Sequence, residues 1–339
     1  MQKNKVITPN LDLRYLNDSS NFPVLLLGAG ASKDIGMPIC KDIFSREYIT
    51  KLGTGLENSK TFRQYELSEI GFEELLSKKL EDNELEEFSV LLGYYEQLFL
   101  DSESWAGGAG LGESSENFFE RFKYYIGIVT ILDHWKKSGQ NPVVISFNHD
   151  VFLECASDWR DFNYGSATNR MYSIENFIPQ MPDFGDMYTL IKLHGSFNKI
   201  CCDNCHAIMV STDYNWGLRM KCMSCNEGNL SGLYIPPTKN KNYASLNDTW
   251  ADACYFIERA SSLWVMGYSM PSYDLSAKEL LKKLPNETPL FVVDKYASDI
   301  SKNYEYLNLG YKGYYSIGLR DYIYEIMKNG MSSDPFTKF

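Results

Sequence analysis

The chain has 339 residues, with 33 Lys+Arg against 44 Asp+Glu, a formal net charge of −11. At roughly 150 residues per domain this fits two domains or one large α/β unit with insertions, and 44% hydrophobic with 23% charged residues excludes wholesale disorder. The acidic balance excludes general affinity for nucleic acid or anionic membrane, which rests on a Lys/Arg excess, and leaves open a local phosphate pocket.

The N-terminal MQKNKVITPNLDLRYLND holds no apolar core segment, so no signal peptide is expected. No apolar run approaches the roughly 18–20 residues of a membrane-spanning helix. The expectation is a cytosolic protein with reduced thiols. Short apolar bursts then predict strands at Val24–Leu27, Val143–Phe147, Thr189–Leu193, Leu263–Met266 and Leu290–Val293. Continuous apolar runs of this length suit strands buried on both faces, as in a parallel sheet covered by helices. Each is followed at once by polar or glycine residues. Ligands of open α/β sheets bind outside the carboxyl ends of strands, so this placement marks a site.

More than a hundred residues separate the first two strands, too many for one crossover. Periodicity predicts helices over Phe72–Leu100 and Asn117–Lys137, with core-facing aromatics. The Gly/Ser-rich DSESWAGGAGLGESSE between them is expected to be a mobile loop. Ile317–Met327 is expected to be a closing helix and SSDPFTKF a frayed end.

Cys202, Cys205, Cys222 and Cys225 form two C-x-x-C pairs separated by 16 residues, inside CCDNCHAIMVSTDYNWGLRMKCMSCN. Two such turns joined by a ribbon bring four thiolates together, which predicts a closed structural Zn2+ site with no open position for substrate. Cys201 and His206 are adjacent, and the spacing leaves open whether either replaces Cys202 or Cys205.

VLLLGAGASKDIGMP resembles a dinucleotide loop. Gly28 and Gly30 permit a tight turn and close approach to a pyrophosphate, flanked by Ala29 and Ser32. The third glycine of G-x-G-x-x-G is replaced by Lys33, and no acidic residue closes a second strand about 20 residues on. A hydride-transfer dehydrogenase is therefore disfavoured, while a dinucleotide at this loop is expected. In SFNHD, Asn148 is suited to bond a ribose hydroxyl or position a water, and Asp150 to hold a carboxamide. His194, at a strand end before glycine, is suited to act as a base near neutral pH. Gly267 and Ser269 of GYS offer a second phosphate or ribose turn, and Asp294, expected to end the last strand, suits a pair of ribose hydroxyls. His134 and His149 are read as structural.

Together these stretches resemble the sirtuin family of NAD-consuming proteins. GAGASKDIGMP is similar to its GAG-x-S-x-x-x-GIP loop with Met37 for isoleucine, SFNHD to T-Q-N-I-D, LHG to the catalytic HG, GYS to GTS, and the paired C-x-x-C to its zinc ribbon. The resemblance spans roughly Val24 to Asp294. It implies a Rossmann-like parallel sheet carrying an inserted helical module and a four-cysteine zinc ribbon, with NAD between the large and small parts. The resulting division is 20–68, 141–198 and 233–330 for the Rossmann-like domain, 69–140 for the helical module and 199–232 for the ribbon. It also places Pro38 in the NAD loop, Asn148 and His194 as catalytic, and Gly28, Ala29, Gly30, Ser32, Asp150, Gly267, Ser269 and Asp294 around NAD.

The chain departs from the family's deacylases at two places. Cys40 stands where they carry an aromatic that shields the cationic sugar from water, and LYIPPTKNKNY replaces their V-x-F-G-E peptide strand. The I-P-P-T-x-x-K pattern resembles a divergent bacterial branch whose members hydrolyse NAD in anti-phage defence. The implied activity is NAD+ hydrolysis to ADP-ribose and nicotinamide. The alternatives are an NAD-dependent lysine deacylase and a non-catalytic NAD- or ADP-ribose-sensing subunit. Since free NAD hydrolysis harms the host, the resemblance implies a homo-oligomer or a regulatory partner such as a ring-forming ATPase.

Overall fold

The computed structural model of the chain describes residues 22–33, 70–104, 115–154, 171–173, 188–210, 221–222, 224–227, 230–239, 241–305 and 311–328, with single positions at 37, 43, 49, 62, 63, 65, 156, 157 and 307. Pro38, Cys40, residues 105–114 of the expected mobile loop and the tail from 329 lie outside the described residues.

The five expected strands form, as β1 (Phe22–Leu27), β2 (Val143–Ser146), β4 (Tyr188–Lys192), β8 (Ala260–Met266) and β9 (Leu290–Asp294). With β3 (Met171–Ser173) and β10 (Tyr311–Ser316) they make a seven-stranded sheet, ordered β10-β9-β8-β1-β2-β4-β3. Every pairing is parallel. β9 is therefore not the last strand, as the sequence led one to expect: β10 follows it at the edge, in register Ser316 to Asp294. Chain order places β2 and β4 on one side of β1 and β8 and β9 on the other. That reversal opens a crevice at the carboxyl ends of β1 and β8, where open α/β sheets bind ligands.

The continuous apolar runs are explained by burial on both faces. Leu25, Leu27, Val144, Trp264 and Met266 belong to one core cluster, and Val24, Leu26, Ile145, Leu263 and Val265 to a second. Alternate residues of each strand thus serve opposite layers. The first layer contains α2 (Phe72–Glu81), α3 (Leu85–Ser104), α4 (Ser115–Lys137) and α9 (Leu319–Lys328). The second contains α5 (Asn247–Ile257), α6 (Leu275–Leu281) and α7 (Ala297–Ile300). The short α1 (Ala29–Lys33) follows β1, and α8 (Lys302–Glu305) follows α7.

The single helix expected over Phe72–Leu100 is two helices. Asn83 adopts φ 58° and its N–H donates to the Leu80 carbonyl, 3.2 Å, so the chain turns before α3. Asparagine tolerates this left-handed conformation because its short side chain can bond locally. A separate antiparallel sheet, ordered β6-β5-β7, comprises β5 (Gly195–Cys202), β6 (Ile208–Val210) and β7 (Leu230–Tyr234). Among the described residues no helix is long and apolar enough to cross a membrane.

Candidate active site

The crevice contains a cavity of about 650 Å³, within the range of small-molecule sites. Ala29, Gly30, Ser32, Asn148, Asp150, His194, Gly267, Ser269 and Asp294 all line it, although they come from five strand ends. Gly28 lies beneath, its carbonyl accepting from the Asn148 amide at 2.9 Å.

The floor is two interlocked turns. Gly28 and Gly30 donate their N–H groups to the Met266 and Gly267 carbonyls at 3.0 and 2.8 Å. Gly267 adopts φ 65°, and a Cβ there would lie 2.1 Å from the Ala31 nitrogen. A Cβ on Gly28 would lie 2.6 Å from the Gly267 carbonyl. These glycines are required because backbone meets backbone. The N–H groups of Gly28 and Gly30 are thus committed to the end of β8 and the turn after it.

Ser32 organises the centre. Its hydroxyl donates to Asp150 Oδ2 at 2.7 Å and accepts from Asn148 Nδ2 at 2.9 Å, with the Tyr125 hydroxyl 2.7 Å away. Burial pushes the Asp150 carboxyl up, opposed by the Lys192 ammonium. Burial and the Asp150 charge also raise Tyr125 well above the phenol range, so it stays a donor. Lys192 is 1% exposed at the end of β4. It donates to the Asp150 carbonyl, to Ser196 Oγ at 2.8 Å and to Glu154 Oε1 at 3.0 Å, pinning the 148–150 loop from below.

His194 follows β4, held by hydrogen bonds from Leu193 N to Ser146 O (2.9 Å) and Ile235 N to His194 O (2.8 Å). Gly195 then turns at φ 73°, where a Cβ would meet the Leu233 carbonyl at 2.1 Å. The His194 ring packs on Phe147, which stacks on Tyr268 at 4.4 Å. Its Nε2 is buried without a hydrogen-bond partner. Burial, then the Lys241 charge, hold its pKa down to about 3, leaving a neutral imidazole at pH 7.

Sequence reading passed over several lining residues: Glu73, Tyr95, Lys241 and Tyr273. Glu73 accepts from Lys241 at 3.2 Å and from the Tyr273 hydroxyl at 2.7 Å, tying α2 to two cavity loops. His149, read as structural, faces the cavity. Its Nδ1 lies 2.8 Å from the Tyr95 hydroxyl, and its ring is 5.9 Å from that of His194. A histidine flanked by Asn148 and Asp150 was a legible signal, but the sequence does not tell which way alternate side chains of a loop point.

The metal site lies apart, on β5–β7. The Sγ atoms of Cys202, Cys205, Cys222 and Cys225 lie within 4.8 Å of one another, with Cys202–Cys225 at 3.7 Å and Cys205–Cys222 at 3.5 Å. A zinc–sulfur bond of about 2.3 Å gives a tetrahedral edge near 3.8 Å, so these spacings fit Zn2+ and not disulfides. The two turns repeat each other. His206 N bonds Cys202 O and Asn226 N bonds Cys222 O, both at 2.8 Å, and both residues adopt φ near 58°. His206 is thereby spent as a turn residue and exposed, and Cys201 is outside the cluster. This resolves the ligand ambiguity in favour of the four cysteines.

No family model matches the chain, and no curated protein matches it. Among solved structures it is similar to a Sir2 homolog–NAD complex, with 16% identity over 91% of this chain and 88% of the other at a TM-score of 0.46. It is also similar to a structure from work on sirtuin substrate affinity (16% identity, 97% and 100% covered, TM-score 0.47) and to Sir2 bound to acetylated peptide (14%, 94% and 96%, 0.42). The α/β assignment stands on this chain's own strand order, register and four-cysteine cluster.

Proposed function

We propose that the chain binds NAD+ in this cavity and hydrolyses its nicotinamide–ribose bond to ADP-ribose and nicotinamide. The observation that carries the reading is His194: a buried, neutral imidazole with an unpartnered Nε2, set beside the Ser32–Asn148–Asp150 cluster at the carboxyl ends of β1, β2 and β4. A neutral imidazole accepts a proton from a ribose hydroxyl as positive charge builds on the sugar. Water adds to C1′ as nicotinamide leaves with the bonding pair, the water's proton restores the hydroxyl, and the imidazolium releases its proton to solvent. Positioned bases contribute on the order of 10²–10⁴-fold. Asn148 is fixed by two hydrogen bonds, so that it can orient a ribose hydroxyl without reorganising. Ser269 and Asp294, at the ends of β8 and β9, face the same cavity and are assigned to the phosphate and ribose of the adenosine half. Zn2+ at the four cysteines would supply stability, with no open coordination position for chemistry.

Water is favoured over acyl-lysine as nucleophile. The reading rests on LYIPPTKNKNY standing where the family's deacylases carry a peptide-binding strand. The biological setting proposed is anti-phage defence by NAD depletion, with a homo-oligomer or regulatory partner holding the enzyme in check. The test is purified protein with NAD+ alone, followed by chromatography of products. ADP-ribose with equimolar nicotinamide supports hydrolysis. Nicotinamide release that needs an acyl-lysine peptide would identify a deacylase. Binding without turnover under both conditions would leave the sensor reading.

A further inference from the structure

Lys192 is a buried cation that the proposed reaction leaves unused. Its side chain is 1% exposed at the end of β4, inside the apolar TLIKL and two residues before His194. Lysine is almost never fully buried unless paired, because its ammonium gives up its hydration, and an apolar side chain of similar volume often serves stability as well or better. Packing alone therefore does not account for an ammonium here. Nζ donates to the Asp150 carbonyl, to Glu154 Oε1 at 3.0 Å and to Ser196 Oγ at 2.8 Å, with the His149 carbonyl 3.4 Å away. Ser196 Oγ in turn donates to the His149 carbonyl at 3.1 Å, which also accepts from Phe197 N at 3.2 Å. The ammonium thus joins two segments of the site: the 148–150 loop, which carries Asn148 and Asp150, and the turn that leads from His194 into β5.

We propose that Lys192 is a positioning residue for NAD+ cleavage, its ammonium setting Asn148 and Asp150 against His194, a role that rests on the hydrolase reading above. The same charge governs the hydrogen bonds at the centre of the site. An ionised Asp150 only accepts, so the Ser32 hydroxyl gives its proton to Oδ2 and keeps a lone pair for Asn148 Nδ2. A protonated Asp150 would donate into Ser32 and compete with the Asn148 amide. Burial pushes the Asp150 carboxyl up and Glu154 adds to this, while Lys192, the Ser32 hydroxyl and Phe152 N pull it down. Tyr125, from α4, meets the same Ser32 hydroxyl and stays protonated, raised well above the phenol range by burial.

The test is the pH profile of kcat/KM with NAD+ as the only substrate, measured beside thermal midpoints in the full chain and its variants. Lys192→Met is expected to lower the plateau by about 10–100-fold, the scale of a displaced reacting geometry. It is also expected to move the acid limb upward by about one pH unit, because an Asp150 without its neighbouring cation protonates sooner as pH falls. Adding Glu154→Gln to Lys192→Met removes the unpaired carboxylate, and is expected to regain part of the midpoint while the plateau stays low. Should Lys192→Met not fold alone, the double variant carries the plateau readout. An undiminished plateau in either folded variant, an acid limb that does not move in Lys192→Met, or a plateau that recovers with the midpoint in the double variant overturns the positioning role and leaves the hydrolase reading standing. A wild-type protein that cleaves no NAD+ overturns both.

Discussion

Lys192→Met isolates the ammonium that pins the 148–150 loop, because methionine keeps a similar apolar stem. The Asp150 carbonyl loses its donor, at a cost of about 1–3 kcal/mol for a buried acceptor left unmade. Glu154 loses its partner as well. Breaking a fully buried pair costs about 3–5 kcal/mol, but the Glu154 side chain is 20% exposed, so about 2 kcal/mol is appropriate. The His149 carbonyl keeps its bond from Ser196 Oγ at 3.1 Å and adds little. The expected loss is about 3–5 kcal/mol, out of the 5–15 kcal/mol typical of a folded domain, so the variant should remain folded with a lowered midpoint. Guanidinium denaturation followed by circular dichroism measures it. Adding Glu154→Gln should recover about 1–2 kcal/mol by removing the unpaired carboxylate. A loss below 1 kcal/mol for Lys192→Met would show that the ammonium does not hold the loop.

His194→Ala should lower NAD+ cleavage by about 10²–10⁴-fold while the far-UV spectrum is unchanged, and full retained turnover would remove its assignment as base. Because folded His194 sits near 3 while an unfolded imidazole titrates near 6.5, the unfolded chain takes up its proton first as pH falls. Stability is therefore complete above 6.5 and declines from there toward 3, as a denaturation series across that window would register. Removing Zn2+ with a chelator should lower the thermal midpoint and release one equivalent of metal per chain, since binding of a metal at the four converging cysteines is linked to the folded state. Gly267→Ala should destabilise by at least about 2 kcal/mol, combining left-handed strain with a backbone contact that cannot relax, and an unchanged midpoint would contradict the interlocked floor.

The central strands were legible because burial on both faces demands uninterrupted apolar residues, and β1, β2, β4, β8 and β9 carry them. The edge strands were not: β3 has only Met171–Ser173, and β10 reads YKGYYS, where a glycine and mixed polarity erase the run. The helix over Phe72–Leu100 misled because its apolar spacing continues across a turn set by one local residue, Asn83. At the site, residue types at strand ends were readable, but partners were not. The link between His149 and Tyr95 spans 54 positions and the link between Ser32 and Asp150 spans 118. Lys192 was visible in hindsight as a lysine inside the apolar TLIKL.

The interlocked turns divide the cavity into parts with unequal freedom to vary. Any side chain added at Gly28, Gly30 or Gly267 collides with backbone of the opposite turn, so neither turn can be remodelled without the other. The wall built from α2, the segment through Lys241 and the segment through Tyr273 meets at side chains instead, through Glu73. Changes in which molecule the cavity accepts must therefore be written into that wall, over a floor that stays the same.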